Sequence, residues 1–344
     1  MSNSDSLNSK CRIIVDAMGG DYAPQNAVLG AVQAFEEKKD FELFLIGKEK
    51  EILRVLSENK ASFPKENIIH AEEVIEMGDS KPTAAIKSKP KSSIVAGMTL
   101  VKDKKADAFV SAGNTGAVMA AATLIMGRIE GVGRPTMGAP MPNTTGVCTL
   151  FDVGSSVDSK PKHLLEYAIM GTIYTKEIFG IDNPSIGILS VGEEESKGSE
   201  VSLAACELIK KTNLNFKGNV EGGDILKGTV NVVICDGFVG NILLKFGEGV
   251  IPLLRFKFTE YAKKGLTNLI KIAIAKNAMK EVMKDFDYQE QGGVPLLGVN
   301  GICMIGHGRS TPKAIKNLVF RADYMYKKNL IKKFESSIKQ YSHL

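Results

Sequence analysis

The chain has 344 residues, of which 44% are hydrophobic and 24% are charged, and its formal net charge is +5 at pH 7. This length fits one large α/β domain or two ordinary ones, and the composition is globular rather than disordered or fibrous. The mild positive charge fits a lysine-rich surface. Without a zinc finger or a basic DNA-reading helix, we expect no nucleic-acid partner.

In chain order, the first feature is a polar segment without an apolar run, residues 1–10, which we expect to be a disordered lead-in rather than a signal peptide. Short apolar runs rich in β-branched residues then predict strands over 12–17, 41–47, 67–71, 106–111, 147–153, 185–191, 231–236 and 302–306. Helical patterns separate most of them, at 23–38, 48–59, 92–102, 117–126, 163–179, 199–211 and 240–248. This alternation predicts βαβ units, an α/β fold and a mostly parallel sheet.

Two further segments have no strand pattern. Residues 131–143 are rich in Gly, Pro and Met, and we expect an ordered excursion there. Residues 249–288 combine apolar side chains with regularly placed lysines, which predicts two basic amphipathic helices with a break near Gly265. These helices either pack on the sheet or on a second subunit, or they touch a membrane surface. We expect one composite domain over 11–335 and a C-terminal tail over 336–344.

The cysteines are odd in number and widely scattered, and none forms a C-x-x-C pair; they are Cys11, Cys148, Cys206, Cys235 and Cys303. This pattern predicts reduced thiols in a cytoplasmic protein. It also disfavours zinc, and with no H-E-x-x-H motif we expect no metal site.

One kind of turn recurs along the chain, in which an apolar stretch runs into Gly, Asn, Ser, Asp or Lys before a helical pattern. It is found at 13–21, 109–116, 150–156, 189–198 and 233–241. In a parallel sheet such turns all lie beyond the carboxyl ends of the strands, where α/β sheets bind ligands. Because helix starts carry free N–H groups, an anion is favoured there. The sequence therefore predicts one polar, anion-accepting crevice.

Several common catalytic motifs are missing from the sequence. There is no G-x-x-x-x-G-K-[ST] loop, no G-x-G-x-x-G after the first strand and no G-x-S-x-G elbow. These absences argue against assigning the chain to the kinases, the dehydrogenases or the serine hydrolases. An enzyme built this way should not need a protein nucleophile, and an anionic substrate such as phosphate could serve as its own nucleophile if it is held in position.

Three polar residues stand out in the turns, each with a plainer alternative. Lys197 follows three glutamates at a glycine turn and could hold phosphate or an oxyanion, or it could pair with those glutamates on the surface. Asn241 opens a helix and could simply cap it. His307 is the only histidine in a glycine turn, and it could equally be a turn residue bonded to backbone.

A family resemblance is carried by ordered segments at 16–24, 111–117, 138–140, 192–198, 218–222, 235–241 and 292–298. On these segments the chain resembles the PlsX family of bacterial phosphate acyltransferases, in family order over nearly its whole length. Two departures are Ser155-Ser156, where the family often has Ala-Asn, and Val294, where it often has Ala.

The resemblance implies a Rossmann-like three-layer α/β sandwich, similar to isocitrate and isopropylmalate dehydrogenases, with a protruding helical segment. It implies conversion of acyl-[acyl carrier protein] and inorganic phosphate to acyl phosphate and free carrier protein, in phospholipid synthesis and without a cofactor. It further implies a cytoplasmic homodimer that associates peripherally with the membrane.

Carried onto this sequence, the resemblance implies a catalytic pair of Lys197 and Asn241. Our own hypothesis is that Gly19, Gly20, Asn114, Thr115 and Gly116 form an anion cradle. We add three candidate substrate-binding residues, which are Asp16 and Asp21 from the first recurring turn and His307 from the glycine turn at 306–308. Two alternatives stay open: a phosphate acetyltransferase-like enzyme that uses acyl-coenzyme A, and a non-catalytic scaffold that binds acyl groups or membranes.

Overall fold

The computed structural model describes residues 9–286 and 288–344. Its strands form one 11-stranded sheet. In chain order they are β1 (Cys11–Asp16), β2 (Phe41–Gly47), β3 (Ile68–His70), β4 (Ala108–Ser111), β5 (Thr136–Asn143), β6 (Gly146–Phe151), β7 (Ile186–Leu189), β8 (Phe216–Val220), β9 (Val232–Ile234), β10 (Gly293–Leu297) and β11 (Ile302–Gly306).

Helices cover both faces of the sheet. They are α1 (Gln25–Glu37), α2 (Glu49–Glu58), α3 (Pro82–Ser88), α4 (Ser93–Lys102), α5 (Thr115–Ala121), α6 (Pro161–Phe179), α7 (Glu200–Lys210), α8 (Gly222–Lys227), α9 (Gly237–Lys263), α10 (Leu266–Val282), α11 (Tyr288–Gln291), α12 (Pro312–Lys327) and α13 (Leu330–Gln340). Helix α5 continues as a π-helical turn, Ala122–Met126. The predicted α/β fold with a mostly parallel sheet is confirmed.

The strand directions divide the sheet into two halves. The order is β3-β2-β1-β4-β11-β10-β5-β6-β9-β7-β8, and β10 pairs antiparallel with both β11 and β5, as does β5 with β6. All other pairs are parallel. Consequently the carboxyl ends of β1, β4 and β11 lie along one side of the sheet, which we call the first edge. The carboxyl ends of β6, β9 and β7 lie along the opposite side, which we call the second edge.

Two hydrophobic cores lie on the two faces of the sheet. In β1, Ile13 and Val15 point into one core and Ile14 into the other, as the two-residue period of a strand requires. The first core lies under α1, α6, α12 and α13, and the second lies under α4, α5 and α8. Because both faces are covered, the strands are continuous apolar runs, and this is why most of them are predictable.

Strands β2 and β11 have the predicted bounds, whereas β5, β8 and β10 are missed. Strand β5 contains Pro140 and Pro142, which are rare in central strands because they cannot donate to the ladder. The pairing explains how they fit. Strand β10 bonds β5 only at Thr136 and Met137, so from Gly138 onward β5 is open on its β10 side.

The segment 249–288 contains the predicted pair of helices. Helix α9 ends at Lys263, Gly265 separates it from α10, and α10 folds back against α9. Within the described residues, α9 is the one helix whose length and apolar composition reach those of a membrane-spanning helix. The C-terminal prediction differs from the structure, since α13 continues to Gln340 and Ile338 is buried in the first core. Most of the predicted lead-in, residues 1–8, lies outside the described residues.

Candidate functional site

A large apolar cavity lies where the sheet opens between β10 and β5. Its volume is about 750 Å³, within the usual range for ligand sites, and helix α9 covers it. The walls are mainly side chains from β5, β10 and α9, namely Met137, Ala139, Pro140, Met141, Val294, Leu243 and Leu244. The cavity can therefore hold a large apolar group.

The polar turn residues that line this cavity form two groups. Asp21, Thr115 and His307 lie at the first edge, after β1, β4 and β11, whereas Asn241 follows β9 at the second edge. Residues from four of the five recurring turns, namely Asp21, Thr115, Val153 and Asn241, line this one cavity, so the predicted convergence holds in part. The walls are mainly apolar, however, and among the described residues the turn of Lys197 contributes none to the lining. The antiparallel centre of the sheet sends the turns to opposite edges, and the apolar cavity runs between them.

At the first edge, Asp16 holds two turns together rather than facing the cavity. It is 2% exposed, and its carboxylate accepts hydrogen bonds from Ser111 Oγ at 2.7 Å and from the Met18 N–H at 3.0 Å. Burial raises the pKa of this carboxyl. Ser111 Oγ in turn accepts from the Gly113 N–H at 3.0 Å. The substrate-binding role predicted for Asp16 is replaced by one in fixing the turns.

The predicted glycines of this edge serve the same close packing. A Cβ on Gly19 would lie 2.7 Å from Gly113 N, and Gly20 has a φ of +111° with the Gly308 carbonyl next to it. The amides of Gly19 and Asp21 donate to Asp16 O and Gly308 O, so neither is available to an anion.

Asn114 and Gly116, also predicted in the cradle, are used internally. The Asn114 side chain accepts from the Ala117 N–H at 3.0 Å and so caps α5, while its amide donates to Met77 O at 3.1 Å and Asp79 O at 3.0 Å. Gly116 packs against Pro82. Only Thr115 of the predicted cradle lines the cavity.

The remaining first-edge residues, Asp21 and His307, are exposed. His307 Nδ1 accepts from the Arg309 N–H at 3.1 Å, and Arg309 Nε lies 4.0 Å from the Asp21 carboxylate. Together with Thr115, Asp21 and His307 line the cavity. The Asp21 carboxylate makes this part of the lining a poorer anion site than the glycine pattern predicts.

At the second edge, Asn241 is exposed and lines the cavity one turn into α9. The cap of this helix is Asp236, which accepts from the Val239 N–H at 2.9 Å, so the capping alternative for Asn241 does not apply. Gly154 packs against Asn241, since a Cβ added at Gly154 would lie 3.4 Å from Asn241 Oδ1. Gly154 also has a φ of +133°, which favours glycine there.

Asp152, which the sequence did not single out, organises this edge. It is fully buried, and it accepts from the Met137 N–H at 3.0 Å, the Ser156 N–H at 2.9 Å and Ser155 Oγ at 2.6 Å. Burial raises the pKa of its carboxyl. Gly237 at the start of α9 also packs on it. Asp152 thereby joins β5, the 153–156 turn and the helix that carries Asn241.

Lys197 lies in the turn after β7, and β7 is the neighbour of β9, so the turns of Lys197 and Asn241 are adjacent at the second edge. Its side chain is exposed, and among the described residues it makes no ion pair with the preceding glutamates. Asn219 fixes the turn by donating to Glu194 O at 2.8 Å and Lys197 O at 2.9 Å. Lys197 is not among the described residues that line the cavity.

Asn219 and Asp152 are the site residues that sequence reasoning missed. Asn219 lies within the family segment 218–222, and Asp152 lies within one of the recurring turns. Both positions were therefore in segments of interest, but neither residue type by itself indicated a role in fixing a turn. Across the part of the chain that the structure describes, no three His, Cys, Asp or Glu side chains are grouped to hold a metal ion.

Comparisons with known proteins agree with this architecture. The family model for "Fatty acid synthesis protein" matches residues 11–333. A phosphate acyltransferase from Pelotomaculum thermopropionicum is 46% identical over 327 residues, covering 95% of each chain. One from Dictyoglomus turgidum is 46% identical over 324 residues, covering 94% of this chain and 96% of that protein.

Among solved structures, a phosphotransacetylase from Streptococcus pyogenes has a TM-score of 0.63 and 20% identity, covering 94% of this chain and 96% of that one. A phosphotransacetylase from Staphylococcus aureus has a TM-score of 0.58 and 17% identity, with 94% and 96% covered. At these identities the likeness shows the fold.

Proposed function

This chain belongs to the phosphate acyltransferase family, and from that premise we propose that it transfers the acyl group of an acyl-[acyl carrier protein] thioester to inorganic phosphate. The observation that supports this proposal is the apolar cavity of about 750 Å³ with Asn241 at its second-edge end. An acyl chain needs an apolar enclosure, and its thioester needs polar groups at one end of that enclosure. The products are acyl phosphate, for phospholipid synthesis, and free carrier protein.

The proposed chemistry takes place at the second edge. A phosphate oxygen attacks the thioester carbonyl carbon, the carbonyl oxygen gains the negative charge of a tetrahedral intermediate, and the C–S bond then breaks. The departing thiolate later takes a proton from water. In this mechanism Asn241 donates a hydrogen bond from its amide to the carbonyl oxygen, and the Lys197 ammonium group compensates the charge of the phosphate or the oxyanion.

No protein nucleophile is required by this scheme. Phosphate is itself an anion at neutral pH, and holding it next to the thioester replaces a bimolecular encounter with an intramolecular one. Because a thiolate is a moderately good leaving group, a strong general acid is also unnecessary. Asp152 and Asn219 contribute by fixing the two turns, not by contacting the reacting atoms.

We also propose that the α9–α10 hairpin contacts a membrane surface. Leu266 and Ile274 are 72% and 79% exposed, and the hairpin carries Lys271, Lys276 and Lys280 beside them. Apolar side chains flanked by lysines suit the interface of an anionic bilayer. Sedimentation with anionic vesicles tests this, and Leu266→Glu with Ile274→Glu should abolish it while turnover is retained.

We also propose a homodimer, and a subunit contact on the hairpin would compete with the membrane for the same exposed apolar surface. Light scattering after size exclusion gives the mass directly. A dimer in the hairpin variant would place the subunit contact elsewhere, and a monomer would place it on the hairpin.

The test of the main proposal is phosphate-dependent consumption of a long-chain acyl-[acyl carrier protein], with acyl phosphate trapped as a hydroxamate. Product that forms only with added phosphate supports the proposal. Equal turnover of an acyl-coenzyme A of the same chain length would favour the phosphate acetyltransferase-like alternative. Carrier-protein binding without any turnover would favour the scaffold.

A further inference from the structure

A cluster of exposed positive charges borders the second edge of the sheet. It consists of Arg128, Arg134, Lys160 and Lys162, which we call the basic patch. Within residues 9–286 and 288–344, none of the four has a charged nitrogen within 4.0 Å of a carboxylate oxygen. The patch residues are close to one another. Burial lowers the pKa of His163, and the nearby charges of Arg134, Lys160 and Arg128 lower it further. Lys162 and Arg128 both act on the neighbouring carboxyl of Glu166.

Nearby carboxylates neutralise the patch only in part. The same segments of chain carry two exposed and two buried carboxylates, which are Glu130, Asp158, Asp152 and Glu166. The buried pair accepts hydrogen bonds from backbone amides, as Glu166 does from the Gly133 N–H at 2.8 Å. The exposed surface therefore keeps an excess of positive charge.

The two arginines are held in place rather than loosely solvated. Arg134 Nη1 donates to Ser156 Oγ at 2.6 Å, and the Ser156 amide donates to Asp152 at 2.9 Å. Arg128 donates to the Gly133 carbonyl. A fixed guanidinium keeps its other N–H groups directed outward, which suits recognition of carboxylates or phosphates.

The patch is continuous with the proposed reaction site. Segment 128–135 leads into β5 and segment 152–160 follows β6, and both positions lie at the second edge. Gly154, two residues before Ser156, packs against Asn241. A partner seated on the patch would thus have a short path to Asn241 and to the cavity behind it.

We propose that the basic patch docks the acidic surface of the acyl carrier protein that delivers the thioester. This inference rests on the proposed function and names the surface that its donor uses. Opposite charges would steer and orient the encounter, as they do in other charged complexes. The patch would bring the carrier's thioester to the second-edge end of the cavity.

Among the four C-terminal lysines, which are Lys327, Lys328, Lys332 and Lys333, two are already paired with carboxylates, and this makes their surface a weaker alternative. Lys327 pairs with Asp40 and with Asp323 at 2.6 Å, and Lys333 pairs with Glu177 at 2.6 Å. An acidic partner there would have to displace these contacts. The basic patch has no such competition among the described residues.

The decisive experiment measures binding of a holo-acyl carrier protein to the full enzyme by calorimetry, for the wild type and for Lys160→Glu with Lys162→Glu. Both substitutions lie at the start of α6, where acidic residues are favourable, so the variant should fold. We expect about tenfold weaker binding and a similar rise in the KM for the acyl carrier protein. Raising the salt concentration should weaken the wild type more than the variant.

Two controls isolate the patch. Lys328→Glu with Lys332→Glu reverses the same charge on the alternative surface and should leave carrier binding within about twofold of the wild type. Turnover of an uncharged acyl-pantetheine should be unchanged in the patch variant. Unaltered carrier binding in the patch variant, or an equal loss in the control variant, would overturn the inference.

These experiments separate a failure of the proposed docking surface from a failure of the proposed function. Wild-type enzyme that makes no acyl phosphate from the carrier thioester contradicts the proposed function. Wild-type enzyme that does make it, with a patch variant of unchanged carrier affinity and KM, contradicts the docking surface alone.

Discussion

The side-chain amide of Asn219 donates a hydrogen bond to the carbonyl oxygen of Lys197 over 2.9 Å. The same amide donates to Glu194 O at 2.8 Å, so one β8 side chain fixes both ends of the turn that presents the lysine. A positioned ammonium stabilises a developing charge without first having to be ordered. The placement of Lys197 therefore depends on a residue in the neighbouring strand.

Replacement of Asn219 by Asp should lower kcat about tenfold while changing the KM for phosphate little. The substitution keeps the shape but removes the amide donor, and the loss of a hydrogen bond is worth about 1 kcal/mol. Steady-state kinetics measure it. Asn215→Asp is the matched control, because Asn215 makes a similar bond to Asn183 O near the opposite end of β8 and should leave kcat unchanged.

Most strands were predictable for one physical reason, which is burial on both faces. Residues such as Ile13, Ile14 and Val15 produce an unbroken apolar run that is hard to mistake. Strand β5 was not predictable, because Pro140 and Pro142 lie where the sheet has opened and no partner strand needs their N–H groups. That opening is the cavity, so the least strand-like segment is the one nearest the proposed acyl site.

The sequence names candidate site residues but does not show how they are arranged. Lys197 and Asn241 follow neighbouring strands and their turns are adjacent, whereas Asp21 and His307 lie at the other edge. Strand direction depends on pairing between segments distant in sequence, which local periodicity does not carry. Asp16 illustrates the same limit, since a carboxylate in a glycine turn can equally bind a ligand or, as here, bond to Ser111.

Replacement of Lys197 by Met should lower kcat by a factor of about 10² or more, as expected when a group that compensates transition-state charge is removed. Lys217→Met is the matched control, an exposed lysine on β8 outside the turn. Phosphate-dependent hydroxamate formation measures both. A Lys197→Met enzyme with the wild-type rate would remove this lysine from the mechanism.

Asp16 should give the protein a characteristic pH dependence. Because burial raises the pKa of Asp16 in the folded state, its ionisation opposes folding above that pKa. As the pH falls from 7 toward the ordinary value of 3.8, the wild type should gain stability relative to Asp16→Asn, which cannot ionise.

Urea unfolding at several pH values measures this difference. Asp79→Asn is the opposite case, because a hydrogen bond from Lys89 lowers the pKa of Asp79. The wild type should lose stability relative to that variant only as the pH falls below the ordinary value of 3.8. If the free energies of unfolding of the wild type and Asp16→Asn differed by the same amount at every pH from 7 to 3.8, the raised pKa of Asp16 would be contradicted.

The cavity should determine which acyl chains are used. Ala139 lies in its wall on β5, and Ala139→Leu adds three carbon atoms to space that a long chain would fill. Since one methylene misfit in an apolar pocket changes kcat/KM by about tenfold or more, the kcat/KM for long-chain thioesters should fall by at least that factor while that for shorter ones changes little.

Met141→Leu, at a neighbouring wall position, conserves volume and should preserve the wild-type profile. A chain-length series of carrier-protein thioesters measures the profile. If Ala139→Leu left it unshifted, the acyl chain would have to bind outside this cavity, and the opening between β5 and β10 would need another role.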